Sequence, residues 1–143
     1  MDSKIDAAHR ALHAVIVQGR QAGDFARDEH SVGVLNAFFR NVMERPFSGH
    51  ENNAQVIAYL EGLRRAYPRQ LSTMNPVAMA PFVLEQIGPG APRPGRSRWT
   101  WTSALVLQMR LLAECTAKRE GIVGQDLETY LLGACARYQS FDF

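Results

Sequence analysis

The stretch GPGAPRPGRSRWTW at 88–101 combines three arginines and two tryptophans with no acidic residue. These residues are Arg93, Arg96, Arg98, Trp99 and Trp101. Planar guanidinium groups bind carboxylates and phosphates through paired hydrogen bonds. Trp and Arg are also enriched at the centres of protein interfaces. Because three glycines and three prolines exclude a helix here, we expect a surface loop that contacts an anionic partner.

Two kinds of partner fit this loop. The arginines could contact an acidic protein surface, with one tryptophan as a buried anchor, or they could contact phosphates while a tryptophan stacks on a base. The formal net charge of only +2 favours the protein partner, because sequence-independent nucleic-acid binding depends on many cations. A third interpretation is a plain connector. Because Trp99 and Trp101 are two residues apart, we expect one to be buried and the other to be available.

Arg45 and His50 form a second candidate pair, in the segment RPFSGH. Their R-x4-H spacing resembles the signature of HEPN ribonucleases, small all-α proteins in which Arg and His from two subunits cleave RNA. The resemblance covers six residues and implies a dimeric ribonuclease with these two residues in the catalytic site. The sequence departs from the family in placing Pro46 after the arginine. Ser48 and Glu51 match a capping box, which predicts His50 in the first turn of the next helix.

His9 and His13 are four residues apart on the first predicted helix, so their rings point the same way. Such a pair could chelate a transition metal, with Asp2 or Asp6 as a third ligand. We favour two solvated histidines and predict no metal.

No other segment has the residue pattern of a known catalytic or cofactor-binding motif. The chain has no G-x-S-x-G, no Walker loop and no dinucleotide fingerprint. Lone carboxylates such as Glu85, Glu114 and Glu128 are typical of helix surfaces. Cys115 and Cys135 lie in apolar helical patterns and are interpreted as buried free thiols. We therefore expect no cofactor and favour a binding protein over an enzyme.

Length and patterning predict an all-α fold. A chain of 143 residues is typical of one domain, here 1–143. Apolar residues recur at spacings of three and four throughout, and no segment alternates with period two. We expect a compact bundle of five to six helices, in which the Gly/Pro/Arg-rich loop precedes a long central helix. The predicted helices span about 3–22, 28–45, 48–66, 75–87 (kinked or broken at Pro81), 103–120 and 125–139.

These observations predict a non-enzymatic protein-binding module: a small adaptor, an inhibitor or a subunit of a larger complex. Accessory proteins of phage and bacterial defence systems have this size and type, by analogy. The alternatives are a small nucleic-acid-binding subunit and the ribonuclease, and a homodimer remains open. The apolar runs are too short to span a membrane, and the N-terminus has no signal core, so we expect a cytoplasmic protein. Phe141 and Phe143 form an apolar C-terminus that folds back or docks on a partner.

Overall fold

The computed structural model describes residues 2–20 and 28–140. These residues contain six helices and no strand. In chain order they are α1 (Ser3–Ile16), α2 (Glu29–Met43), α3 (Asn53–Ala66), α4 (Pro76–Ile87), α5 (Ser103–Arg119) and α6 (Gln125–Gln139). The predicted all-α bundle is therefore confirmed. Within the described ranges, no helix has the length and apolar character needed to cross a membrane.

The most buried helix is α2, which contacts α1, α4, α5 and α6. The sequence places α5 at the centre, because its first two turns are apolar nearly all round. In the structure Leu105 is half-buried and Leu107 is 45% exposed, so α5 packs on one side of α2. Burial on every face allows α2 to carry polar side chains that reach several neighbouring elements at once.

Several helix ends follow the local signals in the sequence. The Asn75 side chain accepts hydrogen bonds from the first amides of α4, and Pro76 occupies the first helical position. The same helix continues through Pro81 to Ile87. Thr102 caps α5 by accepting from the Leu105 amide. α6 has its predicted bounds, 125–139.

The first helix is shorter than its predicted span. α1 ends at Ile16, and Gly19 follows in the left-handed region with φ +68°, a conformation that a regular helix excludes. Asp2 rather than Ser3 caps its start. The predicted stop at Gly23 lies outside the described residues, as do Phe141 and Phe143.

The predicted start of α3 at the Ser48–Glu51 box is wrong. The capping box consists of Asn52 and Gln55, each of which accepts a hydrogen bond from the backbone of the other. The Glu51 carboxylate does reach back to the Ser48 amide, as predicted, and also accepts from the Gly49 amide, but these bonds close a turn ahead of the helix. The helix therefore begins several residues later than the first capping pattern indicates.

Both cysteines are buried and unbridged, as the sequence predicts. Burial raises the pKa of the Cys115 and Cys135 thiols to about 11, because the low-dielectric interior disfavours the thiolate. These thiols are therefore apolar core groups rather than nucleophiles.

Candidate functional site

Two of the candidate arginines stand at the corners of a tight turn. The Arg96 amide donates to the Arg93 carbonyl over 3.0 Å, and Pro94 and Gly95 lie between them, with φ +86° at Gly95. Proline at the second position and a left-handed glycine at the third define a type II turn. We call residues 93–96 the arginine turn. The side chains of Arg93 and Arg96 are both exposed, at the middle of the 88–98 loop.

A buried arginine of α2 is hydrogen-bonded to the backbone at this turn. Arg40 is 1% exposed, and its guanidinium donates to the backbone carbonyls of Pro92, Arg93 and Arg96, the last two over 3.4 Å each. Burial lowers the pKa of Arg40 to about 10. Backbone carbonyls from the loop thus solvate a cation that would otherwise be desolvated in the core.

Two amide side chains complete the attachment. Asn36 lies one helical turn before Arg40; its side-chain oxygen accepts from the Gly95 amide over 3.0 Å, and its nitrogen donates to the Gln86 oxygen over 2.9 Å. The Arg40 Nε donates to the same Gln86 oxygen over 2.9 Å. Because Gln86 belongs to α4, the network joins two helices to the loop and fixes its backbone.

Arg98 has a different environment from the arginine turn. Its Nε lies 3.2 Å from the Glu85 carboxylate, which is only 12% exposed and also accepts from the Ser97 hydroxyl and the Gln86 amide. The interpretation of Glu85 as an ordinary helix-surface residue is therefore wrong. Arg98 is 73% exposed and lies 6.0 Å from the centre of the Trp99 ring. Its charge is already matched by a carboxylate of α4, so it has less to offer an anionic partner.

The two tryptophans do not divide into a buried one and an available one. Both are half-buried, and both meet Phe82 of α4 edge to face, with ring centroids 6.3 Å away for Trp99 and 6.0 Å away for Trp101. The Trp101 indole also donates to the Gly95 carbonyl over 3.0 Å. The expectation of one buried and one available tryptophan is wrong, because both rings pack on Phe82. They attach the loop to the core.

A cavity of about 270 Å³ lies beside the arginine turn. Two aromatic residues line it, Trp101 and Tyr138 of α6, and the Tyr138 hydroxyl is hydrogen-bonded to His30 Nδ1 over 3.2 Å. Tyr138 packs so closely on Gly33 that a Cβ there would overlap its ring. The lining residues are Glu29, Arg93, Pro94, Gly95, Arg96, Trp101 and Tyr138. The lining therefore includes two arginines, one glutamate and two aromatic residues.

Arg45 and His50 both lie in the loop between α2 and α3, and both are exposed. His50 is not in the first turn of α3 as predicted, because that helix begins at Asn53. Arg45 donates to the Tyr130 hydroxyl of α6 over 3.4 Å, and the His50 backbone amide contacts the Ser48 hydroxyl over 3.4 Å. The structure ties each residue to a neighbour of its own chain.

His9 and His13 lie side by side on α1, with ring centroids 5.8 Å apart. His13 Nε2 is hydrogen-bonded to the Glu128 carboxylate over 2.9 Å, a pairing that joins α1 to α6. Among residues 2–20 and 28–140, no three His, Cys, Asp or Glu side chains are grouped to hold a metal ion. The structure thus gives His13 a role in packing two helices together.

Comparison with protein-family models, with curated proteins and with solved structures finds no match to this chain. The likeness to HEPN ribonucleases is carried by six residues alone. The function is therefore argued from the geometry of the loop and its cavity.

Proposed function

We propose that this protein is a non-enzymatic protein-binding module, a small adaptor, inhibitor or subunit, that contacts an acidic partner through its arginine turn. The observation that carries the proposal is the attachment of the loop backbone to buried Arg40 while the side chains of Arg93 and Arg96 remain exposed. A connector needs no such attachment. The network fixes the loop backbone that displays the two charges.

A loop that is rigid before binding loses little conformational entropy when a partner binds. Ordering a flexible loop on association costs free energy, and a loop already held in one conformation avoids most of that cost. Here the carbonyls of the turn are bonded to Arg40 and its Gly95 amide to Asn36 before any partner arrives. Exposed arginines also attract an acidic surface from a distance, which raises the association rate.

The environment of the tryptophans favours a protein partner over nucleic acid. Single-stranded nucleic acid is held by aromatic faces on which bases stack, together with many cations. Trp99 and Trp101 are half-buried on Phe82, and the chain has a net charge of only +2.

The proposal includes a cytoplasmic location for the protein. Two unbridged, buried thiols are typical of proteins in a reducing compartment.

The test compares a double variant, Arg93→Ala/Arg96→Ala, with the parent. A partner is captured from the native host, identified by mass spectrometry, and produced in pure form for surface plasmon resonance. We expect the double variant to associate about tenfold more slowly at low salt, with the difference shrinking as salt screens the charges. Arg69→Ala is the control, because Arg69 is an exposed arginine on the α3–α4 loop.

Equal partner binding by the double variant and the parent would overturn the proposal. Loss of binding to generic single-stranded DNA in the double variant, with no protein captured, would support the nucleic-acid alternative instead. Light scattering on the parent identifies the remaining case, in which the captured partner is a second copy of this chain.

A further inference from the structure

A second cavity, of about 320 Å³, has no lining residue in common with the arginine turn. Its lining comes from the end of α1, the second half of α5, the loop after α5 and the first turn of α6. We call it the α5–α6 cavity. Branched aliphatic side chains make up much of the lining: Val15, Ile16, Val17, Ile122, Val123 and Leu127. The aliphatic part of a ligand can be buried favourably on such a surface.

One lining residue of the α5–α6 cavity is a carboxylate with few partners. The Glu114 side chain is 25% exposed, and Arg110 Nη1 lies 3.7 Å from its Oε1, which is too far for a hydrogen bond. Within residues 2–20 and 28–140, no donor is hydrogen-bonded to this carboxylate. Burial raises the pKa of Glu114, and the charges of Arg110 and Lys118 offset only part of that effect. Because buried polar groups are usually hydrogen-bonded, this carboxylate can accept from a donor that enters the cavity.

The other charged lining residue is Lys118. It lies one helical turn after Glu114, a spacing that places both side chains on the same face of α5. Lys118 is exposed, and within the described part of the chain it forms no salt bridge with Glu114. The lining therefore carries one negative and one positive charge on neighbouring side chains, and their formal sum is zero.

We propose that the α5–α6 cavity binds a free α-amino acid with an aliphatic side chain, such as leucine. Its ammonium donates to the Glu114 carboxylate, its carboxylate accepts from Lys118, and its side chain packs on the aliphatic lining. An α-amino acid carries both charges on one carbon atom, which matches two protein charges one helical turn apart. The proposal does not depend on the proposed function, because it uses none of the same residues.

Charge complementarity favours this zwitterion over ligands with a single charge. A simple amine gains the contact with Glu114 but brings its own charge close to Lys118, and a simple acid lies close to Glu114. Like charges in close proximity oppose binding. The N-terminal residue of a partner protein resembles the amine, and its C-terminal residue resembles the acid. Both therefore match the two charges less well than a free amino acid does.

The test follows the methyl signals of the ¹³C-labelled protein during titration with unlabelled ligands. Leucine is compared with leucinamide, which keeps only the ammonium, with N-acetylleucine, which keeps only the carboxylate, and with glycine, which lacks the aliphatic side chain. We expect leucine to shift the methyl signals of Val15, Ile122 and Leu127 saturably. Each other ligand should bind at least about threefold more weakly. Val77 and Leu132 are internal controls, because they are exposed and do not line the cavity.

Substitutions of the two charged residues test each contact separately. Glu114→Gln should weaken leucine binding about tenfold, the size of a hydrogen bond to a charged group. Lys118→Met should weaken leucine binding roughly two- to fivefold, the size of an exposed ion pair. The same variant should bind leucinamide as well as the parent or more tightly, because a like charge is removed. Glu120→Gln and Lys4→Met are matched controls that should not alter leucine binding, since neither residue lines the cavity.

The proposal is overturned by methyl signals that stay unshifted at the highest leucine concentration, or by equal leucine binding in Glu114→Gln and Glu120→Gln. Equal losses of leucine and leucinamide binding in Lys118→Met would also overturn it. Tighter binding of leucinamide or N-acetylleucine than of leucine would assign the cavity to a protein terminus instead. Circular dichroism shows whether Glu114→Gln is folded, and the ligand series and Lys118→Met decide the question even if it is not.

Discussion

Arg40 shows how one buried residue determines the form of a surface loop. A guanidinium has five N–H donors and no acceptor, so its burial in α2 requires several oxygen atoms to surround it. The loop carbonyls of Pro92, Arg93 and Arg96 provide three of them, and Gln86 provides a fourth. No acidic side chain is hydrogen-bonded to Arg40 among the contacts of the described residues. The pairing therefore stabilises the loop conformation as much as it stabilises the charge.

Arg40→Met should destabilise the protein by about 2–4 kcal/mol, the range for breaking buried hydrogen bonds to a charged group. Methionine fills much of the volume, but it removes the Arg40 donors from the Pro92, Arg93 and Arg96 carbonyls. The loop would then move outwards to hydrate them. Urea unfolding measures the stability, and amide hydrogen exchange of residues 93–98 measures the release of the loop.

Arg137→Met is the control for that variant. Arg137 is 31% exposed and donates to the side chains of Asn41 and Glu44, while its charge also lowers the pKa of Arg40. Its loss should change stability by about 1 kcal/mol or less and leave loop exchange unaltered. Slow exchange in Arg40→Met, equal to that of the parent, would show that the loop holds its shape without the arginine.

At the scale of elements, helix ends that depend on adjacent residues were predictable from the sequence. Contacts between residues far apart in the sequence were not. The caps of α4 and α5 and the bounds of α6 follow from residues adjacent in sequence. The RPGR segment also carries the signature of a type II turn, with Pro94 and Gly95 in the positions that such turns require. Arg40 and Pro92 are 52 residues apart, and no pattern along the chain encodes their contact.

The start of α3 was predicted wrongly because the sequence before it offers two capping patterns. Two capping patterns follow one another before α3, and the first is closed into a turn by Glu51, so only the second begins the helix. Asn36 and Arg40 were the available clue to the site. Two polar residues four positions apart lie on one face of a helix, and burial of that face among apolar residues requires partners for both.

The arginine turn gives a prediction at this scale. Gly95→Ala should cost about 1–2 kcal/mol, because a residue with a Cβ is strained at φ +86°. The added Cβ would also lie 3.2 Å from the Gly33 Cα and 3.3 Å from the Tyr138 ring. Gly90→Ala in the same loop meets nothing within 4 Å and has no positive φ, so it should be neutral or slightly stabilising. Urea denaturation compares the two, and equal stabilities would contradict the turn geometry.

At the scale of the whole molecule, the loop at 88–98 is the only place where the sequence suggests a boundary, and the structure connects it tightly to both sides. Its backbone bonds to α2, Ser97 bonds to Glu85 of α4, and α5 and α6 pack on the same central α2. One cluster of buried side chains draws on every helix. Separating the two halves would expose the buried surface of α2 on both sides.

We therefore expect residues 1–143 to unfold as one cooperative domain. The two tryptophans lie at the end of the loop and report on its attachment, whereas circular dichroism at 222 nm reports on all six helices. In a two-state transition the curves from different probes coincide, so the fluorescence and dichroism midpoints in urea should agree for the parent. In Arg40→Met the fluorescence change should come first, because the loop detaches while the helices persist, and this variant shows that the probe can detect a separate step. Separate midpoints in the parent would mean that the loop detaches before the helices unfold. The chain would then unfold in more than one step, which would contradict a single cooperative domain.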